Sequence, residues 1–282
     1  MRKNRKTVAL IGALLCAVSL LSAIALPTAA AAPPIPISLD NGKTVTGELI
    51  DSVTYIPLRR FCDTMGGATI EWNARTSTAT VTDASRGLHM TVKQGAEYII
   101  ANGRYFYAPS GIRNVGGSLY VPIRPLAKAY SLEVTWSDVS RSVALTSTGK
   151  SLVSGDRFYK SDEVYWLSRI ISAESRGEPF RGQIAVGNVV LNRVRSSAYP
   201  NTIYGVIFDR AGGVQFTPVL NGSIYNAPLG DSIIAAKRAL NGESHAGKSL
   251  YFLNPKTAQS FWIVNNRIFY KSIAHSLLNI SR

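Results

Sequence analysis

A stretch of this 282-residue chain occurs twice. Tyr55-Ile56-Pro57-Leu58-Arg59-Arg60-Phe61 returns as Tyr120-Val121-Pro122-Ile123-Arg124-Pro125-Leu126. Ile70-Glu71-Trp72 returns as Val134-Thr135-Trp136, and Ala79-Thr80-Val81-Thr82 as Val143-Ala144-Leu145-Thr146. The spacing is 65 residues for the first pair (Tyr55 to Tyr120) and 64 for the others (Trp72 to Trp136). A repeat kept in register demands two equivalent units. Each copy reads as a short strand ending at proline, a helix, and a hairpin with tryptophan in its first strand. The helices are expected from about Arg59 to Met65 and from Arg124 to Tyr130, with Gly66-Gly67 stopping the first. This makes residues 33–147 a β-rich tandem domain, followed by a short polar linker over 148–157.

Ahead of the repeat, Arg2, Lys3, Arg5 and Lys6 precede an apolar run from Val8 to Leu26, then Pro27 and the alanines up to Ala32. That is the three-part pattern of a secretory signal with a small-x-small cleavage site. The expectation is an exported chain, cleaved near Ala32, that acts at the cell wall or beyond; an uncleaved anchor is the alternative. Removing 1–32 leaves Cys62 as the lone cysteine, so no intramolecular disulfide forms and the fold rests on ordinary cores. It also leaves 27 basic against 17 acidic side chains, most of the surplus after residue 150. Outside the cytoplasm such a balance favours wall polymers or anionic lipid as partners, not nucleic acid.

In the second half, Ser161 with Asp162 and Glu163 reads as a helix start, a capping hydroxyl followed by acids. On a helical wheel Trp166, Leu167, Ile170 and Ile171 share one face, and Glu174 falls near its middle, while Arg169 and Arg176 point away. Gly177 and Pro179 end the helix. A carboxylate on an apolar face is costly to ionise, and a raised pKa lets a glutamate donate a proton near neutral pH. A structural glutamate paired with arginine is the competing reading.

Ile184, Gly187, Val190, Leu191 and Val194 then keep the spacing of a buried helix, with Gly187 permitting close approach. Asn188 and Asn192, one turn apart, suit either a sugar or the capping of another backbone. Gly212 to Pro218 reads as a turn into an extended segment, Asp231 to Leu240 as a helix closed by Asn241-Gly242, and Leu250 to Pro255 as a strand. Gly242-Glu243-Ser244-His245-Ala246-Gly247-Lys248-Ser249 fits the phosphate-loop pattern formally. That loop needs a strand before it and a helix after it, and the order here is reversed, so no nucleotide is expected. H-E-x-x-H, C-x-x-C and a nucleophile elbow are absent, and neither a metal nor a cofactor is expected.

Two resemblances follow from these residues. The tandem copies, roughly Ile35 to Ser147, resemble the module named after the N-terminal domain of copper amine oxidases. With His89 as its single imidazole it holds no copper set. It is expected to associate with the wall or to position a partner domain. Tyr105, Phe106 and Tyr107 are either a glycan face or core.

From Phe158 to about Ser276 the ordered motifs resemble the SleB/CwlJ family of cell wall hydrolases, spore cortex-lytic enzymes among them. They are Ala173-Glu174-Ser175-Arg176-Gly177-Glu178-Pro179, Gly182-Gln183-Ile184-Ala185-Val186-Gly187, Val190-Leu191-Asn192-Arg193-Val194, Gln215-Phe216-Thr217-Pro218 and Tyr251-Phe252-Leu253-Asn254-Pro255, with Ser260-Phe261-Trp262 beyond. The resemblance implies a mainly helical, lysozyme-like catalytic domain with a small sheet over 158–282, hence an α+β chain. It implies peptidoglycan as the substrate, Glu174 as the catalytic acid, and cleavage after N-acetylmuramic acid by lytic transglycosylation. In that chemistry one carboxyl serves as acid and then as base, whereas a water-using glycosidase normally needs two.

Glu178 is either that second carboxylate or structural support. Gln215, Tyr251, Asn254, Trp262, Asn192 and His275 are candidate substrate contacts. The family's expected Ile-Gly-x-His-x-Phe ending is replaced by Ile273-Ala274-His275-Ser276-Leu277-Leu278. Two alternatives stay open: a water-using muramidase with Glu178 or a substrate group assisting Glu174, and a wall-binding protein that has lost activity, which the altered ending permits.

Overall fold

The two copies of the repeat frame the first half, and further strands between and ahead of them extend its sheets. The computed structural model describes residues 33–253, 268–273 and 277–281, of which Leu253, 268–273 and 277–281 are described as backbone. Residues 1–32, where a secretory signal is expected, and Asn254, Trp262 and His275 lie outside the described residues.

In chain order, β1 (Ile35–Leu39), β2 (Thr44–Ile50) and β3 (Val53–Pro57) lead into α1 (Leu58–Met65). The hairpin β4 (Ala68–Asn73) and β5 (Thr78–Asp83) follows, then β6 (Leu88–Lys93), β7 (Tyr98–Ala101), β8 (Arg104–Tyr107) and β9 (Arg113–Val115). The second copy supplies β10 (Ser118–Pro122), α2 (Ile123–Ala129), β11 (Leu132–Ser137) and β12 (Ser142–Ser147). Two sheets result, ordered β11-β12-β1-β2-β3-β10-β9 and β4-β5-β6-β7-β8.

The two copies meet about a local two-fold axis. β3 pairs antiparallel with β10, and Ile56 faces Val121, its own equivalent one repeat later. The hairpins share one register: Ile70 opposes Val81 and Trp72 opposes Ala79, as Val134 opposes Leu145 and Trp136 opposes Val143. Each helix begins straight after the proline that ends its strand, because proline fixes φ and cannot continue the ladder. Phe61, Ile56, Met90, Ile99, Leu126 and Leu145 fill the core between the sheets. Cys62 is buried there against the Tyr130 hydroxyl, and burial pushes its thiol up to about 11, so it is unreactive.

The second half is helical: α3 (Gly155–Phe158), α4 (Ser161–Ser175), α5 (Phe180–Val194), α6 (Ile203–Phe208), α7 (Thr217–Leu220) and α8 (Gly230–Leu240). A small sheet of β13 (Tyr251–Leu253), β14 (Ile268–Ile273) and β15 (Leu277–Ser281) is ordered β13-β15-β14. α5 is buried nearly all round, as expected of a central helix. At Gly187 an added Cβ would lie 2.9 Å from Ile171 and 3.4 Å from Ala239, so the glycine lets α4, α5 and α8 pack closely.

The described residues form one compact unit. The seam between its halves is polar. Arg104 donates from Nε and Nη2 to the Asn241 side-chain oxygen at 3.0 and 2.9 Å, and its guanidinium lies 3.5 Å from the Phe158 ring centre. Asn241 donates back to the Tyr105 carbonyl, and Arg181 pairs with Glu97. Gly155 donates to the Asn102 carbonyl at 2.7 Å, and a Cβ there would meet the Gly103 carbonyl. The polar stretch after β12 is thus anchored at its end.

Two local expectations are corrected, and one open alternative is resolved. Ser161 is the first helical residue and makes no cap; Lys160 holds the cap position and pairs instead with Glu163. The segment up to Pro218 is not extended to its end, since Thr217-Pro218 opens α7, where a proline at the first turn is favourable. Of the β8 aromatics, Phe106 is core, whereas Tyr105 and Tyr107 face the seam, with Tyr107 edge-on to His245.

Candidate active site

α4 places Glu174 as the wheel predicts. Leu167, Ile170 and Ile171 are fully buried on its inner face, and Glu174 follows in the last turn, half-buried. Among the described residues no side chain hydrogen-bonds or ion-pairs with its carboxylate, and burial raises its pKa above the ordinary 4.5. A desolvated, unneutralised carboxyl holds a proton further toward neutral pH than a surface one, which is what a general acid requires.

Glu178 lies in the turn joining α4 to α5. Its N–H donates to the Ser175 carbonyl at 2.9 Å, and its carbonyl accepts from the Gln183 amide at 3.2 Å. The Gln183 side-chain oxygen accepts in turn from Ser232 on α8 at 3.0 Å. One buried glutamine therefore ties the turn below Glu174 to the helix across the core.

The asparagines of α5 work on the loop after α8. Asn188 donates to the Glu243 carbonyl and accepts from the His245 N–H, at 2.7 and 2.8 Å. Asn192 donates to the carbonyls of Gly247 and Ser249, both at 2.9 Å. Of the two roles left open by the sequence, backbone capping is the one they fill. Within that loop Glu243 is buried, accepts both Arg238 nitrogens, and receives His245 at 2.7 Å. The phosphate-loop look-alike is thus a buried ion-pair loop between a helix and a strand.

Arg193 is the residue that sequence reasoning undervalued. Its Nε donates to the Leu250 carbonyl at 2.8 Å, and its guanidinium lies 5.0, 5.2 and 5.3 Å from the ring centres of Tyr199, Phe216 and Tyr251. Desolvation lowers its pKa. It gathers two of the candidate substrate regions. Tyr251 hydrogen-bonds Tyr199 through the hydroxyls at 3.0 Å, and Gln215, next to buried Phe216, donates to its own loop at Gly213. Only the contiguity of Arg193 with Asn192 on α5 hinted at this.

An aromatic shelf also went unread. Trp166 lies two turns above Glu174 on the same face, about 12 Å along the helix. It packs edge-on against Tyr204, Phe208 and Tyr225, with centroids 5.3, 5.1 and 6.3 Å away. Tyr204 and Tyr225 are 54% and 61% exposed, an unusual amount of open aromatic surface.

In the first half, His89 stands exposed on β6, and no group of three His, Cys, Asp or Glu suited to a metal occurs among the described residues. The donor set does not fit copper.

The family described as Cell Wall Hydrolase matches residues 177–277, and that described as Copper amine oxidase N-terminal domain matches 41–149. A spore cortex-lytic enzyme of Bacillus cereus is 43% identical over 105 residues, covering 37% of this chain and 39% of that protein. The chain thus spans about two fifths of that relative's length. Cell wall hydrolase CwlJ of Oceanobacillus iheyensis is 34% identical over 102 residues, covering 34% of this chain and 71% of that protein. A solved structure, the catalytic domain of the germination-specific lytic transglycosylase SleB from Bacillus anthracis, is 38% identical, covering 46% of this chain and all of that one, with a TM-score of 0.40. Glu174 lies just ahead of the matched span, so the case for it rests on its geometry and on the motif Ala173 to Pro179. With a relative covered over most of its length at this identity, the chain belongs to the cell wall hydrolase family.

Proposed function

We propose that this chain is an exported enzyme that cleaves the glycan strands of peptidoglycan by lytic transglycosylation, with spore cortex as its target. The proposal includes a signal peptide over 1–32, the tandem module over 33–147, a linker over 148–157 and the catalytic domain over 158–282. The observation that carries it is the desolvated Glu174 carboxyl, without a partner among the described residues, at the end of an apolar helix face.

Protonated Glu174 donates to the glycosidic oxygen as the C1–O bond breaks. The carboxylate then takes the proton of the muramic acid C6 hydroxyl, whose oxygen attacks C1 and closes a 1,6-anhydro ring. Proton and leaving group balance within one carboxyl and one substrate, and no water is consumed. Glu178, held in the adjoining turn, supports the geometry of that carboxyl. Tyr204 and Tyr225 on the aromatic shelf offer flat faces for sugars further along the strand.

The test is digestion of purified murein with mass spectrometry of the products. Anhydro-muramic ends are expected, and reducing muramic ends would replace this chemistry with a water-using muramidase. A Glu174→Gln variant that clears murein as fast as wild type would sink the assignment of the acid. Faster digestion of vegetative wall than of cortex would overturn the proposed target.

A further inference from the structure

The two-fold symmetry of the tandem module creates a matched pair of grooves that the catalytic reading does not use. One, of about 310 Å3, runs between α1, the hairpin bearing Trp72, and Gly117 to Tyr120 of the other copy. The second, of about 390 Å3, runs between α2, the hairpin bearing Trp136, and Ser52 to Thr54 of the first copy. Each groove therefore closes only when both repeats are present, because its far wall crosses the local axis at the pairing of β3 with β10. Both volumes are in the range of small-ligand sites.

The helix and hairpin positions of the two linings correspond, while Tyr107, Pro109 and Ser110 line the second groove alone. Leu58 and Ile123 form the apolar floors. Arg59 and Arg124 stand exposed at the first turn of each helix, and neither makes an ion pair among the described residues. Trp72 and Trp136 form the sides, 48% and 44% exposed. The copies have diverged elsewhere, as in Cys62 against Ala127 and Asp63 against Lys128, yet the tryptophan and the arginine persist in both. A half-exposed indole above an apolar floor, beside an unpaired guanidinium, offers a flat face to a sugar ring and a fork to a carboxylate. Asp63 in the first groove is answered by Lys128 in the second, so the two differ in charge but share the sign of their arginine.

We infer that these grooves are two copies of one binding site, and that the module grips a carboxylate-bearing glycan strand of the wall at two points. The inference rests on the proposed function for its choice of polymer. Two equivalent sites on one rigid module suit a repetitive strand, since the second contact forms at high effective concentration.

Co-sedimentation of the full chain with insoluble murein tests it. Trp72→Ala and Trp136→Ala each reduce the bound fraction a few-fold. The double variant reduces it by roughly tenfold or more, beyond either single change. It keeps its melting temperature and its turnover of soluble murein fragments. The paired Arg59→Ala and Arg124→Ala variant flattens the fall of binding with salt. A double tryptophan variant that sediments like wild type overturns the site, and an arginine variant with wild-type salt dependence overturns its anionic character. The proposed function fails separately: wild type that sediments but releases no fragments removes the enzymatic reading and leaves the grooves to be judged by sedimentation alone.

Discussion

Two glutamates of the helical half are withdrawn from water, and they are treated in opposite ways. Glu243 is fully buried and fully compensated, with Arg238 bonded to both oxygens and His245 beside them. Glu174 is desolvated with no compensating cation among the described residues, and its pKa rises. Burying a charge is tolerated when partners replace its hydration. Where no partner is supplied the protonated form is favoured, and the fold bears the strain locally. One carboxylate secures a loop; the other is the one that the proposed function makes the proton donor. Burial by itself would favour the protonated form of both, so it is the presence or absence of partners that sets them apart.

That contrast yields predictions of decreasing size. Glu174→Gln should lower murein-degrading activity by about 10²–10⁴-fold, the contribution expected of a positioned general acid, while leaving the melting temperature unchanged or higher. Glu243→Ala should do the reverse. It strands Arg238 in the core and costs about 3–5 kcal/mol in denaturant unfolding, with activity per folded molecule retained. If Glu243→Ala leaves stability intact, the ion-pair loop is not structural and the comparison collapses.

Gly187→Ala probes the packing that holds α4, and hence Glu174, against α5. With Ile171 2.9 Å from the new Cβ, a loss of about 1–3 kcal/mol is expected from thermal unfolding.

The smallest effect is one of pH. Because the folded state holds the Glu174 proton more tightly than the unfolded chain, wild-type stability falls relative to Glu174→Gln as pH rises from 4.5 through the raised folded value. Below that window the two converge. A wild type that instead gained stability against the variant over the same range would mean that Glu174 has a cationic partner.

The proposed acid was legible because helical periodicity is local: the spacing of Trp166, Ile170 and Glu174 sets their shared face before any packing is known. The repeat was legible for the same reason, and even its hairpin register follows from alternation along each strand. Ser161 misled because a hydroxyl beside acids marks a helix start without fixing which residue caps it. Arg193 and the aromatic shelf stayed hidden because their partners, Tyr199, Phe216 and Tyr251 in one case and Tyr204, Phe208 and Tyr225 in the other, come from separate elements. Nothing local pairs them.

By itself, then, the sequence determined the two-copy architecture of the first half, the helical second half, and the apolar face that carries Glu174. These are properties of spacing along one element. Only the tertiary structure decided that Glu243 is neutralised and Glu174 is not, that Asn188 and Asn192 clip a loop, and that each tryptophan groove is completed by the opposite repeat. The reason is physical: desolvation, ion pairing and groove closure depend on which distant groups arrive within a few ångströms, and that is set by packing across elements.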